Sequence, residues 1–178
     1  HVPSSWENPE MTFRVNVLGS LNIFRIAGGL RSKPRVLFVS SGDVYGDAGR
    51  GRRMITEDTP FRPLNPYAAS KASAELLALT FFEGRGLPVI RLRPFNHIGP
   101  GQSPLFAVSD FARQIARIEA GLEPPILKVG DLSPRKDFTD VRDIVRAYLL
   151  ALERCTPGEV YNLSVSYTHL TLPTNREV

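Results

Sequence analysis

Apolar residues follow two spacings along this chain. Phe13, Val17, Leu21 and Phe24 recur every three or four positions, which predicts a helix over about residues 8 to 29, ended by Gly28-Gly29. Val36-Leu37-Phe38-Val39 is instead an unbroken apolar run, the pattern of a buried parallel strand. A polar loop with Gly46, Gly49, Gly51, Pro60 and Pro63 then leads to Pro66, which fits the first turn of a helix continued by Ala72, Leu76, Leu79 and Phe82. Residues 88 to 93 read as a strand that Pro94 stops. Ser109 is expected to cap a helix through Phe111, Ile115 and Ile118 to Gly121, and Pro124-Pro125 prevents its continuation. Ile126-Leu127-Lys128-Val129 reads as a short strand, Asp140 as the cap of a helix through Ile144, Tyr148 and Ala151, and Val160-Tyr161-Asn162-Leu163 as the last strand. Helices alternating with strands make this an α/β chain.

Three residue types with joint chemistry fall on these elements. Tyr67 and Lys71 are four apart in the predicted helix, which puts a phenol and an ammonium on one face. Ser40 and Ser41 end the apolar strand, at the carboxyl edge where open α/β sheets bind ligands. A phenol near its ordinary pKa of about 10 exchanges protons poorly at neutral pH, and a lysine charge nearby is expected to lower that value. A serine hydroxyl can hydrogen-bond a carbonyl or alkoxide oxygen. The combination points to carbonyl reduction or its reverse. A tyrosine and lysine at this spacing also occur as a solvated helix pair, and the strand-end serines decide against that.

The chain resembles an extended short-chain dehydrogenase/reductase of the nucleotide-sugar branch. The resemblance rests on Ser40-Ser41-Gly42-Asp43-Val44-Tyr45-Gly46, Asn65-Pro66-Tyr67-Ala68-Ala69-Ser70-Lys71, Arg93-Pro94-Phe95-Asn96-His97-Ile98-Gly99-Pro100-Gly101-Gln102 and Arg135-Lys136-Asp137-Phe138-Thr139-Asp140-Val141-Arg142-Asp143. It implies the later part of a Rossmann-type, doubly wound parallel sheet plus part of a smaller substrate-binding domain. It implies NADP or NAD as cofactor, and reduction of the 4-keto group of a GDP-linked 4-keto-6-deoxy sugar. Ser41, Tyr67 and Lys71 would then be catalytic, with Ser40, Tyr67, Lys71, Pro94, Phe95 and His97 toward the cofactor. Ser41, Asp43, Asn96 and Arg135 or Lys136 would meet the substrate. Asn96 has the alternative of bonding its own turn, and His97 has structural uses in a turn. Two adjacent cations suit a diphosphate, and which of them makes the contact stays open.

Sibling reactions on this scaffold are 4,6-dehydration and 4-epimerisation, and a non-catalytic nucleotide-sugar binder is a further alternative. The dehydratases it resembles carry glutamate two residues after the catalytic hydroxyl, as the base for water elimination; here Asp43 is one methylene shorter. The sequence therefore leans to reduction.

Residues 1–94 are expected to be the remainder of a dinucleotide-binding domain and residues 95–164 to mix substrate-binding segments with returning Rossmann elements. Residues 165–178 resemble translated sequencing adapter and are set aside as an artefact, so His169 receives no role. The net charge of +4 is scattered; Arg50-Gly51-Arg52-Arg53 is short and reads as a solvated loop, so no nucleic-acid site is expected. No metal cluster, membrane span or signal segment is legible. The single Cys155 lies on an apolar helical stripe and fits a reducing cytoplasm. Family members commonly form homodimers through two helices each, here those near residues 8 to 29 and 67 to 83. The family's first βαβ unit, with its glycine-rich turn at a helix amino terminus, has no counterpart after His1. These 178 residues alone are therefore expected not to bind NADPH tightly; submicromolar affinity by calorimetry would overturn this.

Overall fold

In the computed structural model, residues 2–48, 54–132 and 136–164 are described. The arginine-rich loop at 50–53, Arg135 and the 165–178 tail lie outside the described residues. The chain folds as two compact units, one running to Phe95 and resuming at Ile144–Leu163, and a second containing Asn96–Asp143.

The first unit opens with three helices, α1 (Val2–Glu7), α2 (Pro9–Phe13) and α3 (Gly19–Gly29), the last two joined by the π-helical turn Arg14–Leu18. Asn8 caps α2 by accepting the Met11 N–H, with Pro9 in the first turn, where no amide donor is missed. The predicted helix is thus real but interrupted, and it has an extra segment before it. Asn16, inside the π turn, donates to Ser70 Oγ at 2.9 Å, and Ser70 Oγ donates to the Tyr67 carbonyl at 2.7 Å.

Strand β1 (Val36–Val39) leads through a 3-10 turn (Gly42–Tyr45) and a loop to α4 (Pro66–Arg85), then β2 (Val89–Pro94). Asn65 caps α4 by accepting the Ala68 N–H, and Gly86, in the left-handed region at φ 59°, ends it. Strand β5 (Val160–Leu163) completes a parallel sheet in the order β1-β2-β5, with Val36 opposite Val89 and Arg91 opposite Val160. Pro94 belongs to β2 as its last residue rather than stopping it.

Alternation along the strands sorts side chains to two faces. Phe38 and Val89 pack with Phe24, Ala27, Ala74 and Ala78 of α3 and α4. Ile90 and Leu92 face the other way, onto Ala151 and Tyr148. These two belong to α6 (Val141–Arg154), whose first turn Asp140 caps by accepting the Arg142 N–H, and Cys155 packs in the same cluster. The α4 pattern differs from expectation: Leu76 is exposed, while Ala68, Ala72, Ala74 and Ala78 are buried. Alanines allow a close approach of helix to sheet.

In the second unit, α5 (Ala107–Glu119) starts after Phe106 without a side-chain cap, and Ser109 Oγ donates to Gln102 instead of capping it. Strands β3 (Asn96–Ile98) and β4 (Phe138–Asp140) pair in parallel, three residues each and too short to announce themselves by periodicity. The strand expected at 126–129 does not form. Gln114 of α5 donates to the Lys128 carbonyl at 3.0 Å and accepts its N–H at 2.8 Å, so a side-chain amide takes the backbone groups a ladder would use. Among the described residues, no helix is long and apolar enough to cross a membrane.

Phe24 is 2% exposed and meets the Phe38 and Phe81 rings at 5.8 and 5.7 Å. Phe24→Ala is expected to lose about 3–5 kcal/mol of stability in urea denaturation; a loss under about 1 kcal/mol would refute this packing.

Candidate active site

The end of β1 fixes one side of the site. The Ser40 N–H donates to the Leu92 carbonyl at 2.7 Å, continuing the ladder one residue past the strand. Ser41 stays extended, and its Oγ accepts the Asp43 N–H at 3.2 Å, which starts the 3-10 turn. Gly42 lets the turn lie flat on Phe95: a Cβ there would come within 3.0 Å of the ring. Phe95 also stacks on Tyr45 with ring centroids 6.3 Å apart. The structure therefore uses Phe95 as a floor for the serine turn. Ser40 Oγ is buried and finds no hydrogen-bond partner among the described residues.

The first turns of α4 supply the other side. Tyr67 and Lys71 are both half-buried. Burial raises the Tyr67 phenol above its ordinary value of 10.0, a hydrogen bond from Ser41 opposes the rise, and the Asp43 charge adds to it. Serine hydroxyl and phenol are thus brought together as the spacing predicts. Lys71 does something else: its Nζ donates to the Val39 carbonyl at 2.6 Å and sits 5.3 Å over the Phe38 ring. Burial lowers the Lys71 pKa, and the Glu75 charge partly restores it. The expected lowering of the phenol by lysine is therefore corrected: in the protein alone, burial outweighs the Ser41 hydrogen bond that opposes it, and the tyrosine holds its proton more tightly.

Beneath these residues lies a polar cluster to which the sequence pattern assigns no role. Arg91 and Arg93 alternate with Ile90 and Leu92 on β2 and so share the α4 face. Arg93 Nη2 reaches Glu75 Oε1 at 2.7 Å and Nε reaches both carboxylate oxygens at 3.0 and 3.2 Å. Its Nη1 donates to Tyr45 Oη at 2.6 Å and to the Glu57 carbonyl at 2.8 Å. Tyr45 Oη in turn donates to Asn162 Oδ1 at 2.7 Å, and the Asn162 N–H donates to Glu57 Oε1 at 2.7 Å. One signal was available: Glu75 follows Lys71 by four residues and Tyr67 by eight, on the same helical face.

The remaining candidates fall in the second unit or at its border. Pro94 is buried in β2. Asn96 and His97 are exposed residues of β3, opposite Phe138 and Thr139, so they occupy a strand and not the turn expected of them. Lys136 is exposed. Asp137, beside it, accepts a hydrogen bond from Ser164.

The family described as GDP-mannose 4,6 dehydratase matches residues 1–172. The GDP-6-deoxy-D-mannose reductase of Pseudomonas aeruginosa is 42% identical over 163 residues, 92% of this chain and 54% of that protein. The GDP-mannose 4,6-dehydratase of Yersinia enterocolitica is 31% identical over 161 residues, 89% of this chain and 42% of that one. The solved structure of RMD from Pseudomonas aeruginosa complexed with NADPH superposes with a TM-score of 0.86 at 42% identity, covering 92% of this chain and 55% of that chain. The chain thus spans about half the length of the relatives it matches.

Because the folded phenol of Tyr67 keeps its proton to higher pH than an unfolded one, the stability it contributes is whole below pH 10 and is lost as pH rises through the raised value. Tyr45 and Tyr148 are also raised by burial, so the effect must be isolated by difference. Ultraviolet titration of the protein against Tyr67→Phe is expected to show Tyr67 ionising above its ordinary value; ionisation near neutral pH would contradict the desolvated site.

Proposed function

The chain belongs to the GDP-mannose 4,6 dehydratase family, and from that premise we propose that the whole protein reduces the 4-keto group of a GDP-4-keto-6-deoxy sugar to GDP-D-rhamnose. The carrying observation is the meeting of Ser41 with Tyr67 at the carboxyl end of β1, with Lys71 one turn along the same helix. NADPH or NADH, when bound, supplies hydride to carbon-4.

The residues present suit such a cofactor. Lys71 Nζ spends one of its three donors on Val39, which leaves two for ribose hydroxyls. A buried hydroxyl without a partner costs roughly 1–3 kcal/mol, and Ser40 Oγ would recover that by bonding a ligand group. Pro94 and Phe95 are assigned to the nicotinamide end, and His97 to the cofactor.

Tyr67 donates its phenolic proton to the oxygen that becomes the 4-hydroxyl, and Ser41 hydrogen-bonds the same oxygen. A protonated phenol is the form this step requires, and burial favours that form. Lys71 then stabilises the phenolate left behind and so eases the transfer. Asp43 orients the turn by giving its N–H to Ser41. Asn96 is assigned to a sugar or phosphate oxygen, and Arg135 or Lys136 to the diphosphate. Exposed Leu18, Ile23, Ile26 and Leu76 on α3, α4 and the turn before α3 favour a homodimer built on those helices. A cytoplasmic setting accords with Cys155 as a free thiol.

The second reading, 4,6-dehydration of GDP-mannose, draws on the family's description and on the 31% identical relative. Asp43 weighs against it, since abstraction of the carbon-5 proton depends on reach.

In the full-length protein, Tyr67→Phe is expected to lower kcat for NADPH-dependent reduction of the 4-keto sugar nucleotide by about 10²–10⁴, with NADPH affinity unchanged. Reduction at a near-normal rate would refute the assignment of Tyr67, and conversion of GDP-mannose to its 4-keto product would favour the dehydratase reading.

A further inference from the structure

Arg93 is 4% exposed, is the penultimate residue of β2 and touches neither Ser41 nor Tyr67 by any hydrogen bond. Its guanidinium nonetheless joins the two segments that carry them. Toward α4, the Nε and Nη2 edge grips Glu75, which is fully buried one helical turn beyond Lys71. Toward the serine turn, Nη1 holds Tyr45 Oη, four residues after Ser41, at 2.6 Å. The guanidinium also lies over two rings, 5.0 Å from the Tyr45 centroid and 4.7 Å from that of Phe61. Arginine's fork is rigid and planar, so a bond at one edge fixes the direction of the other. Lysine offers a point charge that can neutralise Glu75 but cannot span to Tyr45 in the same plane.

We propose that Arg93 is a positioning residue: through Glu75 and Tyr45 it sets the separation between the Ser41 hydroxyl and the Tyr67 phenol. The inference rests on the catalytic reading of Ser41 and Tyr67 above. The charged and titratable groups around it are Glu75, Arg91, Tyr45 and Glu57, contributed by α4, β2, the 3-10 turn and the loop after it. Arg91 Nη1 stands 3.8 Å from Glu75, so the carboxylate keeps a cation nearby when Arg93 is altered. Tyr45→Phe is the milder probe, since it removes only the Tyr45 oxygen and leaves the Glu75 pair and the ring stack in place.

The test is a double-variant cycle in the full-length protein, with NADPH oxidation on the 4-keto sugar nucleotide as the rate and crystal structures as an arm that needs no activity. Tyr45→Phe is expected to lower kcat about tenfold, with KM changed less than about threefold, because misplacement by 1 Å can cost on the order of a hundredfold. In a Ser41→Ala background the same change is expected to cost less than about twofold, since a residue acting through Ser41 has nothing left to position. The crystal structure of Tyr45→Phe is expected to show Ser41 Oγ displaced from Tyr67 Oη by more than about 0.5 Å. A normal rate in Ser41→Ala alone would remove the catalytic reading itself. An impaired Ser41→Ala combined with an additive double variant, or an unmoved Ser41 in the crystal, would overturn the positioning role alone. Should Tyr45→Phe fail to fold, Arg93→Lys takes its place in the same cycle, under the same criteria.

Discussion

The Glu75 carboxylate is sealed from solvent in the middle of the helix that carries the candidate acid. An ionised group in that position is tolerated only if fixed charges and hydrogen bonds replace its water, and breaking a buried pair of this kind typically costs about 3–5 kcal/mol. Arg93 supplies the replacement in a bidentate grip, with Arg91 as a second, more distant cation. That requirement ties α4 to β2. The guanidinium's other edge then draws in Tyr45, and Tyr45 draws in Asn162 of β5. Two strands, β2 and β5, are therefore tied to one ion pair, and the serine turn and the tyrosine helix are both anchored to it.

The same desolvation shapes the chemistry. A half-buried phenol whose pKa is raised by desolvation is a weaker acid than free tyrosine, and it stays protonated throughout the neutral range. Lys71 is occupied with the carbonyl that ends β1, which holds the amine at the sheet edge and leaves part of its donor capacity unused. On the proposed reading, the arrangement is that of a proton donor held in reserve. It suits reduction, where the proton is delivered as negative charge builds on an oxygen, better than a reaction needing a resident base.

The chain is similar both to a nucleotide-sugar reductase and to a dehydratase, and the proposed reading chooses between them on one residue of this shared frame. On that reading, Ser41, Tyr67 and Lys71 would serve either outcome, since both pass through oxidation or reduction at carbon-4. The residue proposed to separate the outcomes is Asp43, half-buried with its N–H committed to Ser41. A side chain shorter by one methylene changes what it can reach without changing the turn around it.

Much of this was legible in the order of residues. The run Val36–Val39, the Asn65-Pro66 start of the long helix, the Asp140 cap and the closing strand all announce themselves through local rules of burial and capping, which depend on near neighbours. The candidate trio was legible too, because strand end and helical spacing fix where those side chains emerge. What the sequence could not decide depended on partners far along the chain. Asn96–Ile98 and Phe138–Asp140 are strands only because they find each other, whereas residues 126–129 lose their ladder groups to Gln114. Leu76 reads as core by periodicity, yet small alanines take that place because the sheet comes close. Arg93 reads as a charged residue in a strand, and only the tertiary fold, by burying it opposite Glu75 and beside Tyr45, turns it into a joint. Local pattern determines which way a side chain points; the dielectric it meets there, and hence the proton affinity of Tyr67 and Lys71, is set by everything that packs around it.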